Sequence, residues 1–404
     1  MILRIDKGQA KGRITVPTSK SMAHRLLISA AMCQGQESVI AGIDPCEDIL
    51  ATIDCLSALG VKIEYKRRTA RVVGIDFTKA EPIGELNCRE SGSTLRFLIP
   101  LAWLSGKEVR LTGSERLMAR SQSVYEQIAK NCGLTFERGH NEIIVKGPLT
   151  AGEYFIDGNI SSQFITGLLF AFSALSGDSR IIINTDLESE PYVNMTMAAM
   201  EEFKVRAYRE DKASFFIFGG QEYRSTDKRV EGDWSNAAFT DVFNHLGGEV
   251  RLSGLKKRSL QGDKIYTKYF DMIDGGFADI DISNSPDLGP ILFTLAAIKN
   301  GARFTGTKRL RDKESDRIEA MRSELAKFGA IITVGENEVI VTNQQLHAPS
   351  ERLWGHNDHR IVMSLAVLCT IFGGEIDGCE AVIKSYPKFF NDINKLGIKT
   401  YEIN

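Results

Sequence analysis

Four short segments place cationic and hydroxyl side chains where helices are expected to begin: Lys20, Ser21 and Arg25; Gly92, Ser93 and Arg96; Ser161, Ser162 and Gln163; His359 and Arg360. A helix start presents free N–H groups and the positive end of the macrodipole, so it holds anions. Serine, aspartate and asparagine at such positions also serve as caps. Lysine and arginine in a first turn oppose the dipole and demand another reason. The densest run of charge, RLRDKESDR over 309–317, supplies Lys313, Glu314 and Arg317, with Asp287 one repeat unit earlier. Alone, such a run is a solvated, salt-bridged helix start. Combined with Asp287 it offers acid–base chemistry, because a carboxylate beside cations stays ionised and serves as a base while a second, held apart, delivers a proton. Lys384, shortly before a turn at Pro387, adds an ammonium.

The elements that position these residues repeat. A helix end, a glycine and an alternating strand recur six times: CLSALGVKIEY (55–65), IAKNCGLTFER (128–138), AMEEFKVRAYR (199–209), VFNHLGGEVRL (242–252), ELAKFGAIITV (324–334) and DINKLGIKTYE (392–402). The glycine suits the left-handed residue that stops a helix, and the alternation suits a half-buried strand. Lys204 takes the glycine's place in the third copy. A more apolar helix precedes each motif, and its start is marked by Ser21, Ser91, Ser161, Ser235, Asp287 and Asp358, at intervals of 70, 70, 74, 52 and 71 residues. In the fourth copy the two helical patterns run together, since VFNHLGG ends the helix that DWSN begins. Bodies such as GLLFAFSAL, apolar nearly all round, belong in a core. Each unit of about 70 residues is therefore expected to lay strands over a buried and a more exposed helix, in two groups of three with a crossing near residue 230.

Length and composition exclude much else. At 404 residues, two or three domains are expected. Lys and Arg number 50 against 52 Asp and Glu, so no global positive field favours nucleic acid or an anionic membrane. The seven cysteines are scattered without a C-x-x-C pair, against a disulfide framework or zinc site and for a reducing compartment. Charges at Arg4, Asp6 and Lys7 interrupt any secretory signal, and 361–372 falls short of a membrane span. A cytoplasmic protein is expected. Neither G-x-G-x-x-G nor G-x-x-x-x-G-K-[ST] occurs, which argues against an ordinary doubly wound sheet.

Ten segments, in order, resemble the 5-enolpyruvylshikimate-3-phosphate synthase family, the 3-phosphoshikimate 1-carboxyvinyltransferases. They are PTSKSMAHR (17–25), ESGSTLRF (90–97), ERLMARS (115–121), GNISSQFITGLL (158–169), SEPYVNMTM (189–197), VEGDWS (230–235), SPDLGPIL (285–292), RLRDKESDR, NDHR (357–360) and VIKSYP (382–387). The resemblance implies a two-domain inside-out α/β barrel, each domain three βαβαββ-like repeats around buried parallel helices. One domain would comprise 1–18 plus 231–404 and the other 19–230, with the active site in the cleft between them. It implies that the 5-hydroxyl of shikimate 3-phosphate displaces phosphate from phosphoenolpyruvate by addition and elimination, in chorismate and aromatic amino acid biosynthesis, without metal or organic cofactor.

By the same resemblance Lys20 touches both substrates, and Ser21 and Arg25 grip the shikimate carboxylate. Ser161, Ser162 and Ser189 cradle the 3-phosphate, with Gln163 and Tyr192 beside the ring. Phosphoenolpyruvate lies against the Gly92 backbone, within reach of Arg120, Gln163, Arg317, Arg360 and Lys384. Asp287 takes the 5-hydroxyl proton with Lys313 close by, and Glu314 protonates the methylene carbon. The chain departs from the common pattern at Glu90, Ser93, Ser121 and Arg309. A carboxylate at 90 either pairs with an arginine or weakens phosphoenolpyruvate binding, and Ser121 in place of a proline loosens the Arg120 loop. The sister transferase acting on UDP-N-acetylglucosamine is disfavoured because GSERLMARSQS (113–123) lacks its reactive cysteine; an RNA 3'-phosphate cyclase, because no basic excess exists. A non-catalytic anion binder is disfavoured by the intact Lys20, Asp287, Lys313, Glu314 and Lys384. No long coiled coil or large apolar surface segment is evident, so a monomer is expected.

Overall fold

The computed structural model of the chain describes residues 1–403. They form two compact units, Thr18–Glu231, and Met1–Pro17 together with Gly232–Asn404. Each has its own apolar core. The overall class is α/β, with thirteen α-helices among the described residues. In the Thr18–Glu231 unit these are α1 (Lys20–Ala31), α2 (Glu47–Ala58), α3 (Gly92–Leu104), α4 (Glu115–Ala119), α5 (Ser123–Cys132), α6 (Ser162–Ser173) and α7 (Glu190–Glu202). In the discontinuous unit they are α8 (Trp234–His245), α9 (Tyr266–Gly275), α10 (Gly289–Ile298), α11 (Arg317–Ala326), α12 (His359–Phe372) and α13 (Phe389–Lys395).

The repetition expected from the sequence is present in the backbone. Five of the six sheets have four strands joined in one pattern, a parallel pair followed by two antiparallel pairings. The buried helix lies in the connection between the parallel strands where these follow in sequence, as α3 does between Leu86–Asn87 and Glu108–Thr112. A parallel pair requires such a crossover, whereas the hairpin that completes four of these five sheets does not; in the fifth, Thr400–Ile403 pairs with Ile2–Ile5. Two sheets borrow a strand from far along the chain: Lys228–Arg229 joins Glu37–Ala41, and Ile2–Ile5 joins Gly374–Asp377. Buried helices such as α6 and α10 are apolar on all faces because neighbouring helices and sheets enclose them.

The fourth copy is reduced, which explains its short interval. Helix α8 begins at DWSN and ends at VFNH, so one helix carries both patterns. The following strand, Glu249–Ser253, pairs only with Lys11–Thr15 in a two-stranded sheet without the antiparallel hairpin. Helix α9 fills the connection onward. The sequence pattern did not assign it, although it ends in Gly275 and is followed by Gly276 and the strand Ala278–Asp281.

The helix-stopping positions behave alike. Gly60, Gly133, Gly247, Gly329 and Gly397 all have positive φ, and so does Lys204, at 68°. A lysine in that conformation brings its Cβ too close to its own carbonyl, at a cost of about 1 kcal/mol relative to glycine. Lys204→Gly is therefore expected to raise the urea midpoint by the equivalent of up to about 1 kcal/mol, less the entropy glycine adds to the unfolded chain. A clear destabilisation would mean the Lys204 side chain contributes more than its backbone costs. No described helix is long and apolar enough to cross a membrane.

Candidate active site

In the Thr18–Glu231 unit the starts of α1, α2, α3, α6 and α7 are tied together by side chains. Lys20 Nζ meets the Asp48 carboxylate at 2.7 Å, joining α1 to α2. Arg25, buried, reaches from α1 to α7 and α6: its Nε donates to Thr196 Oγ1 at 2.8 Å, and its terminal nitrogens donate to the Tyr192 carbonyl at 3.0 Å, the Ser21 carbonyl at 2.7 Å and Thr166 Oγ1 at 3.5 Å. Its guanidinium also lies over the rings of Phe97 and Tyr192. Burial pulls its pKa down to about 10, so it stays cationic at neutral pH.

Arg96 performs the same service for α3 and α6. It donates to Gln163 Oε1 at 3.0 Å, Ser161 Oγ at 3.5 Å and the Ser121 carbonyl at 2.8 Å, and stacks over Phe164. Gln163 Nε2 in turn donates to Ser93 Oγ at 3.0 Å. The serines stand at caps: Ser161 Oγ accepts from the Gln163 N–H, Ser162 opens α6, and Ser189, buried with φ 57°, opens α7. The Glu188 N–H donates to the Gly158 carbonyl and holds the last two helix starts side by side.

Arg120 leaves the end of α4 and turns inward to Gly92. A Cβ built on Gly92 would stand 2.7 Å from its Nη1, so glycine is what lets the guanidinium lie against the start of α3. Arg120 is 6% exposed and has no carboxylate partner among the described residues. Its segment is pinned by several bonds. Arg96 holds the Ser121 carbonyl, Arg138 holds the carbonyls of Met118 and Arg120, and Ser121 Oγ bonds Ser123. Glu90 is half-buried beside the α3 cap.

The discontinuous unit gathers a different set. Arg317, 1% exposed, is gripped by Asp287 at 2.9 Å, Glu314 at 2.8 Å and the fully buried Asp358 at 2.8 Å. Asp287 also receives Arg360 at 2.9 Å and lies 3.5 Å from Lys313 Nζ. Arg360 donates further to Ser235 Oγ at 2.7 Å and to the Asp287 carbonyl at 3.2 Å. Lys384 donates to the Asn357 carbonyl at 2.5 Å, next to the α12 cap. Burial, opposed by Asp287 and Glu314 but aided by Arg309 and Arg317, pushes Lys313 down to about 8. Burial alone would raise the Asp358 carboxyl, but Arg317 and His359 bring it below the ordinary range. Arg309 lies on the short helical turn Lys308–Asp312 and bears on Lys313 through its charge.

Residues 5–393 match the family described as EPSP synthase (3-phosphoshikimate 1-carboxyvinyltransferase). The chain belongs to that family. A 3-phosphoshikimate 1-carboxyvinyltransferase of Clostridium botulinum (strain Alaska E43 / Type E3) is 37% identical, covering 99% of this chain and 98% of the relative. The enzyme of the same name from Brachyspira hyodysenteriae is also 37% identical over 99% of each. Among solved structures, an EPSP synthase from Acinetobacter baumannii superposes with a TM-score of 0.80 at 23% identity, over 99% of this chain and 100% of that one. The enolpyruvyl transferase NikO from Streptomyces tendae gives 0.78 at 14%, over 99% and 98%. These neighbours share the fold and agree with the two-domain α/β architecture expected from the family.

Sequence reasoning missed Asp48 and Asp358 as site residues and noted Arg96 only as a helix-start cation. Both acids sit in or before a first turn, where a carboxylate reads as a cap. Their long-range partners, Lys20 and Arg317, are 28 and 41 residues away and leave no periodic signal. Asp358→Asn keeps the α12 cap but removes a buried charge from Arg317, so it is expected to destabilise by about 2–3 kcal/mol at neutral pH in urea unfolding. Because the native carboxyl is depressed, wild type loses that advantage as pH falls through its native pKa, and the two curves should converge in acid. A difference under about 0.5 kcal/mol at neutral pH would show the pair to be idle.

Proposed function

We propose that the chain transfers the carboxyvinyl group of phosphoenolpyruvate to the 5-hydroxyl of shikimate 3-phosphate and releases phosphate, in the biosynthesis of chorismate and the aromatic amino acids. The observation that carries this beyond family membership is the pair of buried arginines, Arg25 and Arg120, whose described partners are neutral oxygens or none. A buried cation without a counter-ion is costly, and an anionic ligand relieves the cost. Both substrates are polyanions.

In this reading Lys20 meets both substrates, Ser21 and Arg25 hold the shikimate carboxylate, and Ser161, Ser162 and Ser189 hold its phosphate, with Gln163 and Tyr192 at the ring. Gly92, Arg120, Gln163, Arg317, Arg360 and Lys384 hold phosphoenolpyruvate. Proton transfer to the methylene carbon makes the adjacent carbon electrophilic. The 5-hydroxyl then adds as Asp287 takes its proton, and phosphate leaves when a proton is withdrawn again from the methyl group. Glu314 is the acid. Arg317 and Arg360 stabilise the charge of Asp287 and Glu314 in the ligand-free chain. Each guanidinium bond transferred to phosphoenolpyruvate raises the proton affinity of the carboxylate it leaves, which is the direction needed by both a base and an acid. Bidentate arginine matches carboxylate and phosphate alike. The reading includes action as a cytoplasmic monomer, with no metal or organic cofactor and no nucleic-acid or membrane partner.

Purified protein should release phosphate only when both substrates are present, with EDTA in the buffer, and Asp287→Ala should lose at least about a hundredfold in rate. Absence of release with both substrates, or full activity in the variant, would overturn the reaction or the base.

The alkaline limb supplies a second check. Lys313 is cationic below pH 8 and neutral above it, so kcat/KM for shikimate 3-phosphate should bend downward near pH 8. In Lys313→Arg that bend should vanish from the accessible range, since a guanidinium does not deprotonate there. An unchanged profile would remove Lys313 from the role.

A further inference from the structure

Beneath the start of α3 a file of polar side chains runs through the core of the Thr18–Glu231 unit. His24 Nδ1 lies 2.7 Å from Thr52 Oγ1, Thr52 Oγ1 lies 2.6 Å from Thr94 Oγ1, and Thr94 Oγ1 lies 2.7 Å from Ser91 Oγ. All four residues are fully buried. The file crosses α1, α2 and α3 and ends at the α3 cap, where Ser91 Oγ accepts the Thr94 N–H at 3.2 Å. The two threonine hydroxyls also approach the Asp48 carbonyl, at 3.4 and 3.3 Å. The carboxylate of that same Asp48 holds Lys20 Nζ.

The fold does not require polar groups here. Three residues after the N-cap of each buried helix stand Met22, Thr94, Phe164, Asn236, Ile291 and Ile361. Four of the six are apolar, so a buried hydroxyl at Thr94 has a local purpose. Such a network is costly in an apolar core unless satisfied, and when satisfied it fixes one arrangement. His24 Nε2 is buried with no hydrogen-bond partner. A ring protonated there would bury an N–H without an acceptor, the rarer of the two defects. The proton therefore belongs on Nδ1, and each hydroxyl passes its own proton onward toward Ser91 and the Asp48 carbonyl. Burial, reinforced by the charges of Lys20 and Arg25, keeps the ring neutral.

We propose that the file His24–Thr52–Thr94–Ser91 is a positioning device that locks the start of α3, and with it the Gly92 backbone, to the Asp48–Lys20 pair, and so sets the affinity for phosphoenolpyruvate. The proposal rests on the function proposed above. Its members are positioning residues, since they act through the Gly92 backbone, which in that reading meets only phosphoenolpyruvate, and touch no substrate themselves.

Thr52→Val keeps shape and removes the central hydroxyl; Thr94→Val breaks the file one step nearer Gly92 and carries the test if Thr52→Val does not fold. In either variant KM for phosphoenolpyruvate should rise about tenfold while KM for shikimate 3-phosphate stays within about twofold. Amide hydrogen exchange at Thr94 and Leu95 should quicken about tenfold, with Phe164 at the start of α6 unchanged. Thr52→Ser should restore both readouts. Unchanged exchange at Thr94 and Leu95 overturns the locking. Both KM values rising together with a fallen melting temperature reduces the file to core stability and overturns the proposal. If wild type releases no phosphate, the function proposed above fails first and the phosphoenolpyruvate part falls with it, while the exchange arm still decides whether the file locks α3.

Discussion

A buried guanidinium facing only neutral oxygens constrains the Thr18–Glu231 unit more than any other feature. Arg25 reaches three helices and Arg120 lies against the backbone of a fourth. Each must be held without the carboxylate that would ordinarily neutralise it. Hydroxyls, carbonyl oxygens and aromatic faces can do this only if the helices carrying them are fixed, because a misplaced acceptor leaves a charge desolvated and unbonded. The apolar helix bodies and the sheets over them supply that rigidity. The repeated architecture is thus the means by which several helix starts are brought to one end of a unit and kept there. Parallel crossovers ensure that the buried helices run the same way.

The discontinuous unit solves the opposite problem. Its arginines are paired with Asp287, Glu314 and Asp358, two of which are the proposed proton-transfer groups. Asp358 differs from the other two in being fully buried and in capping α12, so it holds Arg317 whether or not a ligand competes for the remaining bonds. In the proposed reading, Asp287 and Glu314 are then the partners that a dianion would displace from Arg317, and their proton affinity would rise as it does so.

Much of this was legible in the sequence. The six helix-stopping positions, the short fourth copy and the capped helix starts were all readable, because each depends on local backbone chemistry: positive φ, the 3.6-residue period, and cap hydroxyls. The substitution of Lys204 for a glycine was visible, and its left-handed conformation follows from the same pattern. What escaped were contacts made across repeats. Asp48, Asp358 and the connections of Arg96 carry no spacing signal, since their partners lie in other helices. Helix α9 escaped although a glycine pair closes it and the strand Ala278–Asp281 follows; that strand leads into α10 with no returning hairpin.

The division of labour among the copies follows from what the backbone pattern requires. Each copy needs an apolar helix and a stop at its second helix, and the residues of the first turn remain open to chemistry. The first three copies use that freedom for lysine, arginine and hydroxyls, and the last two for paired carboxylates and arginines. The fourth, which has lost its hairpin, retains a structural task. Its Ser235 supports Arg360 at 2.7 Å and its Asn236 bonds Ser385 at 3.1 Å, beside Lys384. A copy with a reduced sheet has less surface to fix its own helix start. That makes it better suited to bracing neighbours through short, buried, neutral side chains than to carrying a charge of its own.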